Sequence, residues 1–192
     1  YEPHDQYPAA ESGTYSTHYE KNFLTRLIKG YYQDLDSANS DASELGITIP
    51  QASYCAAACL ISSGNDDKTS DLMGIIESLS TDDIAIYALD GLDQNYITLL
   101  FINKDTANLN FDTSVSSLIN SLKHAMSINM TVGVGKWVLS VNEIGNSYMQ
   151  ASTALDYRFV KGRNTITFYS ELENSVQNLD YNPKEQLDLL EM

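Results

Sequence analysis

The residue types best suited to chemistry are few in this sequence and widely scattered. Its histidines are His4, His18 and His124, and no two of them stand at a metal-ligand spacing, so neither metal binding nor general-base work is expected of them. Cys55 and Cys59 lie in the apolar run Tyr54-Cys55-Ala56-Ala57-Ala58-Cys59-Leu60-Ile61. On a strand they share a face but stand about 13 Å apart, beyond the reach of a disulfide. With no His nearby they give no zinc signature; buried free thiols in a reducing compartment are the expectation. Asn65, Asp66, Asp67 and Asp71 are acidic enough to suggest calcium. Their spacing lacks the central Gly and terminal Glu of such a loop, so they read as the solvated start of a helix.

Charge narrows the range further. The chain has 192 residues, with 26 acidic against 11 basic and a net charge of −15. A surface of that sign repels a phosphate backbone, so direct binding of nucleic acid is not expected. The apolar share of 43% suits a packed globule of one domain. No run approaches the roughly 18 apolar residues of a membrane span and no signal segment opens the chain, so no membrane contact is anticipated and a cytoplasmic location is. The chain opens at Tyr1 and closes on Met192 in what reads as an unfinished helix, the expectation for a piece of a longer protein.

The elements that must position any site are set by periodicity. Residues 1–17 lack a pattern and read as a linker or frayed end. From Tyr19 a helical stripe forms of Phe23, Leu24, Leu27, Ile28, Tyr31 and Leu35, and the polar stretch Asp34 to Ser43 should end or interrupt it. A strand is expected over Tyr54–Ser62, a helix over Lys68–Ser80, and two strands, Ile84–Leu89 and Tyr96–Asn103, joined by the turn Asp90 to Asn95. A third helix, capped by Asp112 or Thr113, buries Val115, Leu118, Ile119, Leu122 and Met126. Thr131–Gly135 is a short strand whose glycines mark close backbone approach. Asn142 caps a fourth helix with the stripe Ile144, Tyr148, Ala151, Ser152, Leu155 and Phe159. Lys161 to Asn164 ends it before a last strand, Thr165–Tyr169. The predicted fold class is α+β, a split βαβ, ferredoxin-like antiparallel sheet with helices on one face.

Several of these segments carry a family likeness. Met130-Thr131-Val132-Gly133-Val134-Gly135, Ser147-Tyr148-Met149-Gln150-Ala151, Ala154-Leu155-Asp156-Tyr157-Arg158-Phe159, Gly162 and Ile166-Thr167-Phe168-Tyr169 resemble, in that order, the degenerate GGDEF-like domain of many AraC-family regulators. That domain has a nucleotidyl-cyclase-type fold and precedes a helix-turn-helix pair. The stretch Leu24 to Gly30 is similar to the helix leading into it. The resemblance spans roughly residues 19 to 172 and is dense only from Met130 to Tyr169. It implies a domain over 18–172, with 173–192 a linker to a DNA-binding domain outside the chain.

An active diguanylate cyclase carries Gly-Gly-Asp/Glu-Glu-Phe between its two hairpin strands. The glycines admit the nucleotide, and the carboxylates help hold magnesium. With the aromatic of that motif on Tyr96, the preceding four positions are Leu92, Asp93, Gln94 and Asn95. Both glycines are lost and both acidic positions have become amides. At the end of the first strand, where a second carboxylate belongs, stand Ser62 and Ser63. The expectation is therefore no enzyme, with no catalytic, cofactor-binding or metal-ligating residue. The function implied is a regulatory, signal-transmitting and self-association domain of an AraC-type regulator, a homodimer that meets DNA only through its C-terminal helix-turn-helix units. The alternative is a small-molecule sensor for a nucleotide or sugar, with Tyr87, Asp93, Tyr96 and Trp137 lining a vestigial pocket. The plainer reading of those aromatics is core packing, and a residual magnesium-dependent cyclase is the remotest option. The tail Asn182 to Glu191 reads as a Pro-started helix with Leu187 and Leu190 on one face.

Overall fold

The apolar run after Pro50 becomes the middle of a sheet. In a computed structural model that describes residues 12–46, 49–61, 75–76, 78–90, 92, 96–104 and 111–177, strand β1 is Ser53–Ile61. Strands β2, Ile84–Asp90, β3, Tyr96–Asn103, β4, Met130–Val134, and β5, Ile166–Phe168, surround it in the order β2-β3-β1-β4-β5. β1 pairs antiparallel with β3 and β4, and β2 antiparallel with β3, which is the split βαβ order anticipated. β5 departs from the expected antiparallel sheet by pairing parallel with β4. The chain crosses over a helix between those two strands, and such a crossover brings it back running in the same direction. The sheet is therefore mixed.

Helices cover both faces rather than one. Cys55, Ala57 and Cys59 of β1 join Ile86, Leu99, Phe101 and Val132 under Val115, Ile119 and Leu122 of helix α3, Phe111–Met126. Tyr54 of β1 joins Leu89, Leu100 and Ile102 under helix α1, Ser12–Ile28, and helix α2, Leu35–Ser43. The reason lies in β1 and β3, which are apolar at successive positions and so present oil on both sides; one layer of helices would leave one face wet. The remaining helices are α4, Ile144–Asp156, the short α5, Arg158–Lys161, and α6, Tyr169–Gln177.

The first helix begins at Ser12, ahead of the stripe that starts near Tyr19, and stops earlier than the stripe suggests. Gly30, at φ +73, closes it: its N–H donates to Leu27 O at 3.1 Å and the Tyr31 N–H to Arg26 O at 3.0 Å, a left-handed cap that glycine adopts without strain. The cap turns the chain, so Tyr31 is 63% exposed while Tyr32 is 3% exposed, correcting the stripe assignment. The polar stretch after it is itself a helix. Asp34 caps α2, taking the Ser37 N–H at 2.7 Å while Ser37 answers in a capping box, and Ala38 and Ala42 are its buried side. Small alanines hide that apolar face among Ser, Asp and Asn.

Two expected caps also move. α4 is entered through a 3-10 turn, Val141–Glu143, with no side-chain cap, so Asn142 does not cap it. Asp112 lies in the first turn of α3 rather than before it. Phe159 leaves the buried stripe altogether, because the helix tightens at Tyr157 and rotates the residues beyond that point. The helix expected over Lys68–Ser80 is described only at residues 75, 76 and 78, where it is helical. The tail Asn182 to Glu191 lies outside the described residues.

α1 is clamped to α2 by one polar cluster. Arg26 donates to Asp41 Oδ2 at 2.6 Å, the Tyr32 hydroxyl donates to the same oxygen at 3.0 Å, and the guanidinium lies 5.0 Å from the Tyr32 ring centroid. Burial, then the bond to Asp41, pushes the Tyr32 hydroxyl up from 10.0 to about 12, with Arg26 partly opposing. Its folded value lies above its unfolded one, so the protonated phenol's contribution is complete below pH 10 and is lost as pH climbs to about 12. Tyr32→Phe should lower stability by about 1 kcal/mol at neutral pH and flatten the decline across that alkaline window, read from urea unfolding at a series of pH values.

Candidate functional site

Two places bear on function: the end of the β2–β3 hairpin, where a cyclase carries its motif, and the segment where β4 meets α4, where the family resemblance is densest. At the hairpin, Asp93, Gln94 and Asn95 lie outside the described residues, as do Ser62, Ser63, Asp66 and Asp67. Asp90, which leads into the turn, is paired with Lys21 of α1 across an exposed contact. Leu92 packs into the cluster beneath α1 and α2.

The residues suggested for a vestigial pocket do not converge. Tyr87 sits opposite Leu100 in the β2–β3 register and packs beneath α1 and α2. Tyr96 shares that face of the sheet but lies four residues further along β3, about 13 Å away, against Ala58, Ala151 and Leu155. Trp137 belongs to the cluster on the opposite face, where its indole acts on the carboxyl of Asp112. Burial raises the Asp112 carboxyl above its usual range, Trp137 opposes that, and Glu171 adds to it. Each of the three aromatics is half-buried against a different cluster.

The second place is better ordered and is built from the sequence upward. Helix α4 lies across β1 and β4 at a distance that only glycine permits. A Cβ on Gly133 would meet the backbone O of Ala151 at 2.1 Å and N of Leu155 at 2.2 Å, and one on Gly135 would meet Ser147 O at 2.0 Å. Alanines on the facing side, Ala151 and Ala154, complete the fit.

Ser147, fully buried, completes the sheet where β4 leaves it. Gly135 N–H still donates to Ala56 O at 2.9 Å and the pairing resumes at Val138 with Tyr54. Between them the Ser147 hydroxyl accepts the Ala56 N–H at 3.0 Å and donates to Lys136 O at 2.7 Å. Gln150 Oε1 accepts the Lys136 N–H at 3.0 Å. Two side chains of α4 thus satisfy backbone groups that a bulged strand cannot pair. Nothing in the periodicity singles out Ser147; its signal is a hydroxyl on the buried side of an otherwise apolar stripe.

Beyond Lys136 the same region fastens α6. Lys136 pairs with Glu173 and lies 5.9 Å from the Tyr169 ring centroid, and Lys161 pairs with Glu171. Elsewhere, an open cleft of about 370 Å³ is lined by Asn120, Lys123, His124, Asn129 and Asn164 among others. Lys123 donates to Asn164 O at 2.9 Å. No described residue lining the cleft carries a carboxylate, although the chain has 26 acidic residues. Among the described residues no cluster of three or more His, Cys, Asp or Glu side chains is placed to hold a metal, and no helix is long and apolar enough to cross a membrane.

A family model described as "GGDEF-like domain" matches residues 30–157, a span that includes the sheet through β4 and all of α4. No curated protein matches the chain. Among solved structures, the GGDEF domain of PA1120 (YfiN or TpbB) from Pseudomonas aeruginosa is similar at 10% identity and a TM-score of 0.46, covering 79% of this chain and 93% of that one. An EAL/GGDEF domain protein from M. capsulatus is similar at 13% identity and a TM-score of 0.45, covering 62% of this chain and 85% of that one.

Gly133→Ala should destabilise the fold by more than about 3 kcal/mol, since the clash is with helix backbone that cannot yield alone. Ser147→Ala should cost about 1–3 kcal/mol by stranding the Ala56 N–H and Lys136 C=O. Urea unfolding monitored by circular dichroism checks both, and a Gly133→Ala protein as stable as wild type would show that helix and sheet do not meet this closely.

Proposed function

The chain belongs to the GGDEF-like domain family, and from that premise we propose that it is a non-catalytic regulatory and self-association domain of a cytoplasmic AraC-type bacterial transcription regulator. The observation that carries the reading is what the motif residues do. Gly133, Gly135 and Ser147, the core of the segment shared with such regulators, are all spent on seating α4 against β1 and β4. The hairpin sequence supports the same view, with Leu92-Asp93-Gln94-Asn95 where a cyclase has paired glycines and paired acids. A net charge of −15 leaves DNA contact to helix-turn-helix units beyond this chain. On this reading α6, fastened at Lys136 and Lys161, would carry movement of the body toward them.

Incubated with GTP and magnesium, the chain should yield no cyclic dinucleotide, measured by chromatography against an active cyclase; any turnover would sink the non-catalytic reading. A second reading, small-molecule sensing, is favoured by the carboxylate-free cleft at Lys123 and His124. On that reading a nucleotide or sugar acid present at about 100 times its Kd stabilises the domain by about 2.7 kcal/mol, and Lys123→Ala abolishes the thermal shift. A screen without any stabilising ligand leaves the first reading alone.

A further inference from the structure

The cleft at Lys123 lies where α3 ends and β4 and β5 begin. Residues 113–142 and 157–170, which hold most of α3, both strands and the turn before β5, contain no Asp or Glu in a chain that has 26. Fixed charges are screened beyond about 8 Å in physiological salt, and Asp112 stands about three turns of α3 away from Lys123. A small anion repelled by the molecule at large therefore meets the least repulsion in this sector. The neighbouring cations Lys136, Arg158 and Lys161 are already paired with Glu173, Asp156 and Glu171. Lys123 differs: among the described residues no carboxylate pairs with it, and its ammonium donates to Asn164 O at 2.9 Å. That bond engages one of three donors. Burial holds Lys123 below the usual lysine value, as befits an ammonium partly stripped of water.

Lys123 and His124 in the last turn of α3 are ordinary complements of a helix dipole. The negative end of this helix is already muted, since the Ile128 N–H caps Lys123 O and the Ser127 N–H caps His124 O, each at 3.2 Å. The backbone adds a separate signal. Ser127, at φ +49, and Asn164, at φ +60, are the two non-glycine residues of positive φ among the described residues, and both line the cleft. Glycine fills such positions without strain, so a side chain there is kept at a backbone cost. What it provides is a hydroxyl at Ser127 and a carboxamide at Asn164, whose N–H is pinned to Oγ1 of the buried Thr131 at 2.9 Å. Asn120 and Asn129 bring the lining to three carboxamides and a hydroxyl, groups that both donate and accept, as ligand hydroxyls require. No described lining residue is aromatic, so a nucleobase finds no ring to stack on. The volume of about 370 Å³ lies toward the small end of ligand pockets.

We infer that this cleft binds a small polyhydroxylated anion, a sugar carboxylate or sugar phosphate, with Lys123 and His124 on the charged group and the amides and Ser127 on the hydroxyls. The inference rests on the small-molecule-sensing reading above and chooses between its two ligand classes, against the nucleotide. Isothermal titration calorimetry of the whole chain with gluconate, glucose 6-phosphate, glucose, inorganic phosphate and GMP tests it. Gluconate or glucose 6-phosphate should bind, the tighter of the two identifying the charged group, and glucose and inorganic phosphate should each bind at least about tenfold more weakly. Lys123→Ala should weaken binding at least about tenfold and Asn129→Ala several-fold, with circular dichroism spectra unchanged. Lys104→Ala, beyond the opposite end of β3, should bind as wild type does. Inorganic phosphate binding as tightly as the sugar compounds would mean an adventitious ion only and would overturn the proposal. GMP binding as tightly as either, or binding undiminished in Lys123→Ala, would overturn it while leaving sensing standing. A chain that binds none of the five would overturn the sensing reading as well.

Discussion

The near-contact of helix α4 with strands β1 and β4 is the constraint on which the rest of this structure depends. Two glycines remove the side chains that would hold the helix off, and the helix answers with alanines and one serine. Once α4 is seated, β4 can rest against β1 and β5 can add beside β4. The end of α1 is fixed too, because Gly30 and Gly145 abut so closely that a Cβ on Gly145 would stand 3.2 Å from Gly30 Cα. Close packing of this kind gains dispersion contacts on many atoms at once and loses them together if any one is displaced.

That constraint changes the meaning of the residues that mark the family. A Gly-x-Gly on a strand, followed by a serine on a helix, invites a search for a phosphate or a nucleotide. Here all three positions face inward, and the serine hydroxyl is occupied on both its donor and acceptor sides by backbone of β1 and of the β4 exit. The match to the family spans the hairpin as well as the α4 seat, and at the seat these three positions serve packing.

Much of the architecture is legible in the sequence, for physical reasons that also explain the misses. Strands β1 to β3 are readable because their apolar runs are bounded by polar turns, the short β4 because its glycines mark close approach, and α3 because Val115, Ile119 and Leu122 repeat at the helical period. α2 escapes notice since its buried side is only Ala38 and Ala42, too small to stand out among serines and aspartates. Tyr31 and Phe159 fall on the wrong side because a period extrapolates past a cap: Gly30 in one case and the tightened turn at Tyr157 in the other end the register. Strand direction at β5 is a property of the crossover, invisible in three residues of β-sheet. The three aromatics suggested for a pocket lie apart, because sequence gives neither distance along the sheet, which separates Tyr96 from Tyr87, nor the opposite face, which holds Trp137. Tyr87, Tyr96 and Trp137 all pack inward, in different clusters.

The serine that plugs the bulge has a mechanical consequence. A strand whose missing hydrogen bonds are supplied by a helix cannot slide or twist independently of that helix, and β1 is tied in through the same hydroxyl. Sheet and α4 then behave as one stiff plate, with no internal joint between them to absorb a push. A signal arriving at one edge of such a plate can leave only as displacement of the whole, so any gearing in this domain belongs to the segments bolted onto its rim.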